Sequence, residues 1–103
     1  MIDIRIDEAE GRITITGHSG YEEPGKDIIC AGVSALFYGF AEAEAQAGGL
    51  LEIKSEPGDC YAVYRRTKSA RRRLEVFGAG AKMLEMTYPG HVKMAWEISK
   101  KEF

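Results

Sequence analysis

Ile2, Ile4 and Ile6 alternate with Asp3, Arg5 and Asp7, and beyond Glu8-Ala9-Glu10-Gly11 the alternation resumes with Ile13 and Ile15 inside Arg12 to Thr16. A period of two in adjacent stretches joined by a turn predicts a half-buried hairpin. From Asp27, a good N-cap residue, to about Ala47 the period lengthens, with Ile29, Val33, Leu36, Phe37 and Phe40 at helical spacing and Gly48-Gly49 as the stop. Leu50 to Glu56 and Cys60 to Arg66 read as a second hairpin around Pro57-Gly58-Asp59. A second helix is expected from Ser69 to Thr87, on the stripe Ala70, Leu74, Phe77, Ala81 and Leu84, with Gly78 and Gly80 marking close packing and Pro89-Gly90 ending it. A last strand carries Val92, Met94, Trp96 and Ile98 on one face. The order ββαββαβ predicts an α+β two-layer sandwich: a five-stranded, largely antiparallel sheet with two helices on one face.

A chain of 103 residues suits one such domain, residues 1–103, around a single core. A net charge of −2 makes no global electrostatic case for nucleic acid or membranes. The longest mostly apolar run, Ile28 to Ala41, is amphipathic and short for a bilayer span. The chain opens directly on a strand, leaving no room for a signal peptide, and Cys30 and Cys60 are too few for a disulfide scaffold. The expected compartment is therefore the cytoplasm.

The chemistry concentrates between Gly17 and Ser34. His18 ends a predicted strand, a glycine-bounded loop follows, and Cys30 falls in the first turn of the predicted helix. Unpaired backbone N–H groups at a helix start make a positive field that favours thiolate, the nucleophilic form. His18, carried back by the loop, is the best base available to take and return the thiol proton. The Cys30 N–H is also a candidate oxyanion donor. His91, the other histidine, follows Pro89-Gly90 far along the chain and is the weaker choice.

Each of these residues has a plainer reading. A lone cysteine in an apolar helix segment is commonly a small packing residue, and a histidine commonly fills a strand end. Asp27 reads first as an N-cap, with a second role in orienting His18 or the loop. Ser34, one turn beyond Cys30, could bond the thiolate or a helix carbonyl. Ser19 lacks the strand–elbow–helix setting of a serine nucleophile and reads as a loop or positioning residue. Six of the nine residues from Arg65 to Arg73 are basic, which reads as a solvated face, with docking on RNA as the functional alternative. Val33 stands where C-x-x-C would need a cysteine, Leu36 where a cysteine phosphatase would need arginine, and no zinc-ligand spacing exists. No metal or cofactor is expected.

Gly17-His18-Ser19-Gly20, followed by Gly25, Asp27, Cys30 and Ser34, resembles the G-H-x-G…G-x-D-x-x-C-x-x-x-S signature of the bacterial ribosomal-processing cysteine proteases, the Prp family. Tyr88-Pro89 before a terminal strand is similar too, and the likeness spans essentially the whole chain. It implies removal of a short N-terminal extension from large-subunit ribosomal protein twenty-seven, by cleavage after an aromatic residue. It assigns Cys30 as nucleophile and His18 as general base and acid, with Asp27 and Ser34 supporting. It makes the loop containing Ser19, Gly20, Tyr21 and Gly25 a flap over the peptide. A homodimer is implied, with no need for direct nucleic-acid binding or a membrane. The chain departs at Gly32, where alanine is common, and carries Pro24 in the flap. Two other function classes compete: a non-enzymatic ribosome-associated binding module using the basic stretch, and hydrolysis of another peptide or thioester by the same pair.

Overall fold

The computed structural model describes residues 1–20 and 27–98; Tyr21 and Gly25 of the expected flap lie outside the described residues. The elements are β1 (Ile2–Asp7), β2 (Arg12–Gly17), α1 (Ile28–Gln46), β3 (Leu50–Glu56), β4 (Asp59–Tyr64), α2 (Lys68–Thr87) and β5 (Val92–Glu97), in the expected order ββαββαβ. The five strands form one sheet in the order β3-β4-β2-β1-β5. Every pairing is antiparallel except β1 with β5, whose register sets Ile2 beside Val92 and Ile6 beside Trp96. These pairings make β2 and β3 run the same way, as do β4 and β5, so each helix is a crossover between two parallel strands.

The isoleucine alternation sets the core. Ile2, Ile4, Ile6, Ile13 and Ile15 are buried together with Ile29, Val33, Phe37 and Phe40 of α1 and Leu74, Phe77 and Ala81 of α2. Both helices therefore lie on one face of the sheet. The α1 helix, 19 residues long, is apolar and long enough by composition to cross a bilayer, beyond what the shorter run Ile28 to Ala41 suggests. In the fold, Ile29, Val33, Phe37, Phe40, Ala41 and Glu44 are buried.

Several boundaries differ from expectation for local reasons. β4 stops at Tyr64 rather than Arg66 because its partner β3 begins opposite it at Leu50; the Arg65 N–H makes one further bond, to the Gly49 carbonyl at 2.7 Å. β5 stops at Glu97 because its partner β1 stops at Asp7, and Ile98 is left exposed. α2 starts one residue early, at Lys68, since the Thr67 hydroxyl caps it by accepting the Ala70 N–H at 3.0 Å.

The basic stretch is not only a solvated face. Glu8 and Glu44 are fully buried carboxylates that apolar periodicity did not reveal. Arg73 donates from Nε to Glu44, while Arg71 Nε lies 3.4 Å from Glu8. Trp96 completes the Glu8 site by donating its indole N–H to Oε2 at 2.6 Å. Two of the six cations thus hold carboxylates inside the fold, where an unpaired charge is costly. Arg65, Arg66, Lys68 and Arg72 remain exposed.

Candidate active site

Gly17, the last residue of β2, has φ +90°, and a Cβ there would overlap the Met1 carbonyl oxygen. Its N–H donates to the Gly58 carbonyl at 2.9 Å, pinning the end of β2 to the β3–β4 turn. Only glycine meets both demands at low cost. The next residue, His18, is exposed, and its ring lies against Gly58: a Cβ built on Gly58 would be 2.6 Å from His18 Nε2. No hydrogen bond joins the His18 ring to Cys30 among the described residues.

Asp27 performs the capping role read from the sequence. Its Oδ1 accepts the Ile29 N–H at 2.9 Å and the Cys30 N–H at 3.0 Å, and the Ala31 N–H continues to the Asp27 carbonyl at 3.1 Å. Its other carboxylate oxygen accepts a hydrogen bond from the Ser19 hydroxyl. The Ser19 bond is the main reason the Asp27 carboxyl is lowered to about 2; burial opposes it, and the bonds from Cys30 and Ile29 reinforce it. Ser19 is itself buried, so the segment just after His18 is clasped to the start of α1.

Cys30 is the third residue of α1, a half-buried free thiol whose backbone N–H is held by the Asp27 carboxylate. Two consequences differ from the sequence reading. The Cys30 N–H is occupied by Asp27, so it is not a vacant oxyanion donor in this arrangement. An ionised carboxylate at the cap also offsets part of the positive field that the helix start provides. Ser34 stands one turn further along and is exposed, with no side-chain hydrogen bond among the described residues. Gly20 has φ +71° and open space around its Cα.

The residue that sequence reasoning set aside is His91. Its Nδ1 lies 2.8 Å from the Ser19 carbonyl oxygen, at the same end of the sheet. Its own N–H donates to Tyr88 O at 3.0 Å, and its carbonyl accepts the Ile2 N–H at 2.9 Å. The usable signal was topological. A fifth strand parallel to β1 must begin where β1 begins, and β1 begins where β2 ends.

The family model for cysteine protease Prp matches residues 1–93. The ribosomal processing cysteine protease Prp of Mycoplasma genitalium is 27% identical over 90 residues, covering 86% of this chain and 91% of that protein. A Bacillus subtilis protein of the same description is 38% identical over 50 residues, 46% of this chain and 45% of that one. The fold is similar to that of the essential ribosomal processing protease Prp from S. aureus in complex with a covalently linked product peptide. The TM-score is 0.78 at 20% identity, over 93% of this chain and 97% of that chain. The S. aureus protease with a substrate peptide gives a TM-score of 0.72 at 19% identity, over the same shares of the two chains.

Proposed function

We propose, from the premise that this chain belongs to the Prp family of cysteine proteases, that it removes a short N-terminal extension from large-subunit ribosomal protein twenty-seven by cutting after an aromatic residue. Its relatives in Mycoplasma genitalium and Bacillus subtilis are ribosomal processing proteases, and the S. aureus protease of the same fold binds substrate and product peptides. The observation that carries the reading is the clasp between Ser19 and Asp27. It draws the His18 segment onto the helix turn that presents Cys30.

The chemistry is an acyl-enzyme cycle through a Cys30–His18 dyad. The His18 ring turns from Gly58 towards Cys30 and accepts the thiol proton, and the sulfur adds to the scissile carbonyl carbon. The tetrahedral intermediate collapses as His18 returns that proton to the leaving amine, releasing the trimmed ribosomal protein. Water, deprotonated by His18, then attacks the thioester and frees the N-terminal extension as a carboxylic acid. Asp27 engages the Ile29 and Cys30 N–H groups, so oxyanion stabilisation falls to other donors. Asp27 and Ser34 are supporting residues, the former by fixing the turn that holds the thiol. The loop that continues from the clasped Ser19 through Gly20, Tyr21 and Gly25 serves as the flap over the peptide, and the enzyme works as a homodimer in the cytoplasm without a cofactor, metal or membrane.

The competing binding-module reading relies on the basic stretch, two of whose cations are committed to Glu8 and Glu44. The deciding experiment is mass spectrometry of a synthetic peptide spanning the ribosomal-protein N-terminus, incubated with wild type and with Cys30→Ala. One cut after an aromatic residue, made by wild type alone, is the expected result. Cleavage retained in Cys30→Ala would overturn the assignment.

A further inference from the structure

We infer that His91 is a positioning residue for the Cys30–His18 pair, acting through the Ser19 carbonyl; the inference rests on the functional reading above. His91 is firmly held by its backbone. Its N–H is taken by Tyr88 O and its carbonyl by the Ile2 N–H, so its backbone is fixed between the end of the α2–β5 connection and the start of β1. From that fixed point the ring reaches the Ser19 carbonyl oxygen at 2.8 Å. A carbonyl has no proton to give, so Nδ1 carries the hydrogen and donates.

Ser19 is therefore held at both ends. Its carbonyl accepts from His91 and its hydroxyl donates to Asp27, whose other oxygen holds the Cys30 N–H. His18 is the residue immediately before this doubly held serine, and Gly17 before it is bonded to the Gly58 carbonyl. The backbone on both sides of the proposed base is thus fixed by two separate anchors, one from the β3–β4 turn and one from His91. Removing the His91 donor takes one restraint off the Ser19 peptide unit and loosens the Cα that carries the hydroxyl clasp to Asp27. The reacting pair loses its register without losing a member. A displacement of about 1 Å in such a constellation costs up to roughly a hundredfold in rate, and an ordinary lost hydrogen bond roughly fivefold, so a loss near tenfold is expected.

Asparagine and glutamine separate positioning from bulk. The asparagine amide nitrogen occupies the place of histidine Nδ1, whereas glutamine extends its amide to the place of Nε2. Wild type, His91→Asn, His91→Gln and His91→Ala are each treated with iodoacetamide, and alkylation of Cys30 and Cys60 is followed separately by peptide mass mapping. Cleavage of the synthetic peptide and thermal midpoints are measured alongside. The expected result is Cys30 alkylation and cleavage about tenfold slower in His91→Ala and His91→Gln, restored within about twofold in His91→Asn, with Cys60 unchanged. A Cys30 rate indifferent to all three substitutions overturns the proposal. So does rescue by glutamine as good as by asparagine, or Cys30 reactivity that merely follows the thermal midpoint. If His91→Ala does not fold, the Asn and Gln pair still decides. If wild type cuts no ribosomal peptide, the substrate reading fails, while the Cys30 alkylation series still tests His91.

Discussion

Four glycines lie inside the two helices, and alanine at each should sort them by what the added methyl meets. In an open helix interior, Gly→Ala gains about 1 kcal/mol. At Gly39 a Cβ meets nothing within 4 Å, and at Gly32 it meets Leu84 Cδ2 at 3.6 Å, an ordinary contact. Both substitutions should realise most of that gain. At Gly80 the methyl would come 2.7 Å from Leu36 Cδ2, the end of a side chain that can rotate, so gain and cost nearly cancel. Gly78 is different, because the methyl would fall within 2.8 Å of Trp96 Cε3 and Cη2, with Cζ3 nearer still. The indole cannot simply swing aside, since its N–H is the 2.6 Å donor to the buried Glu8 carboxylate. Overpacking costs about 1–3 kcal/mol and a lost hydrogen bond to a charged group about 1.5–3 kcal/mol. Set against the helical gain, Gly78→Ala should destabilise by about 2–5 kcal/mol, or roughly 10 °C or more in midpoint. Urea unfolding gives the free energies, and Trp96, the only tryptophan, reports its own displacement through its emission. A Gly78→Ala protein as stable as the parent, with unshifted emission, would refute the packing argument. A destabilised Gly39→Ala would refute the helical one.

Gly58→Ala combines a positive φ of +71° with a methyl against His18 Nε2, so it should lower Cys30 alkylation and peptide cleavage more than its stability loss of about 1–2 kcal/mol accounts for. Kinetics at a temperature well below the midpoint check this. Arg73→Ala strands Glu44, whose side chain is 1% exposed, and should cost about 3–5 kcal/mol, whereas Arg72→Ala in the same stretch should stay within about 0.5 kcal/mol in chemical denaturation. Asp27 titrates at about 2 in the fold, below its ordinary 3.8. A depressed carboxyl contributes stability above its unfolded value and loses it as pH falls. Thermal midpoints of wild type should therefore drop between about pH 4 and pH 2 more steeply than those of Asp27→Asn; parallel curves would remove Asp27 as the cause.

What was legible in the sequence follows from how far each signal reaches. Alternation at Ile2, Ile4 and Ile6 and helical spacing from Ile29 to Phe40 are local, and they place seven elements in order with boundary errors of a residue or two. The Asp27 cap is equally local, two and three residues from the N–H groups it accepts. Glu8 and Glu44 defeated the periodicity because a buried carboxylate looks like a surface residue until its partner is known, and the partners lie far along the chain. Arg73 is 29 residues from Glu44, and Trp96 is 88 from Glu8. The candidate site divides along the same line. Ser19, Asp27 and Cys30 were visible because one loop and one helix start contain them all. His91 stands 72 residues from Ser19 and was discounted for that distance. Yet the order ββαββαβ already limits where it can be. A terminal strand laid parallel to β1 delivers its first residues to the mouth of the β2–α1 loop, whatever lies between. Distance along the chain was therefore the wrong measure for choosing between the two histidines. His18 stands next to the clasp, and His91 bonds the Ser19 carbonyl from the turn that leads into β5, so two histidines far apart in the chain meet one short segment.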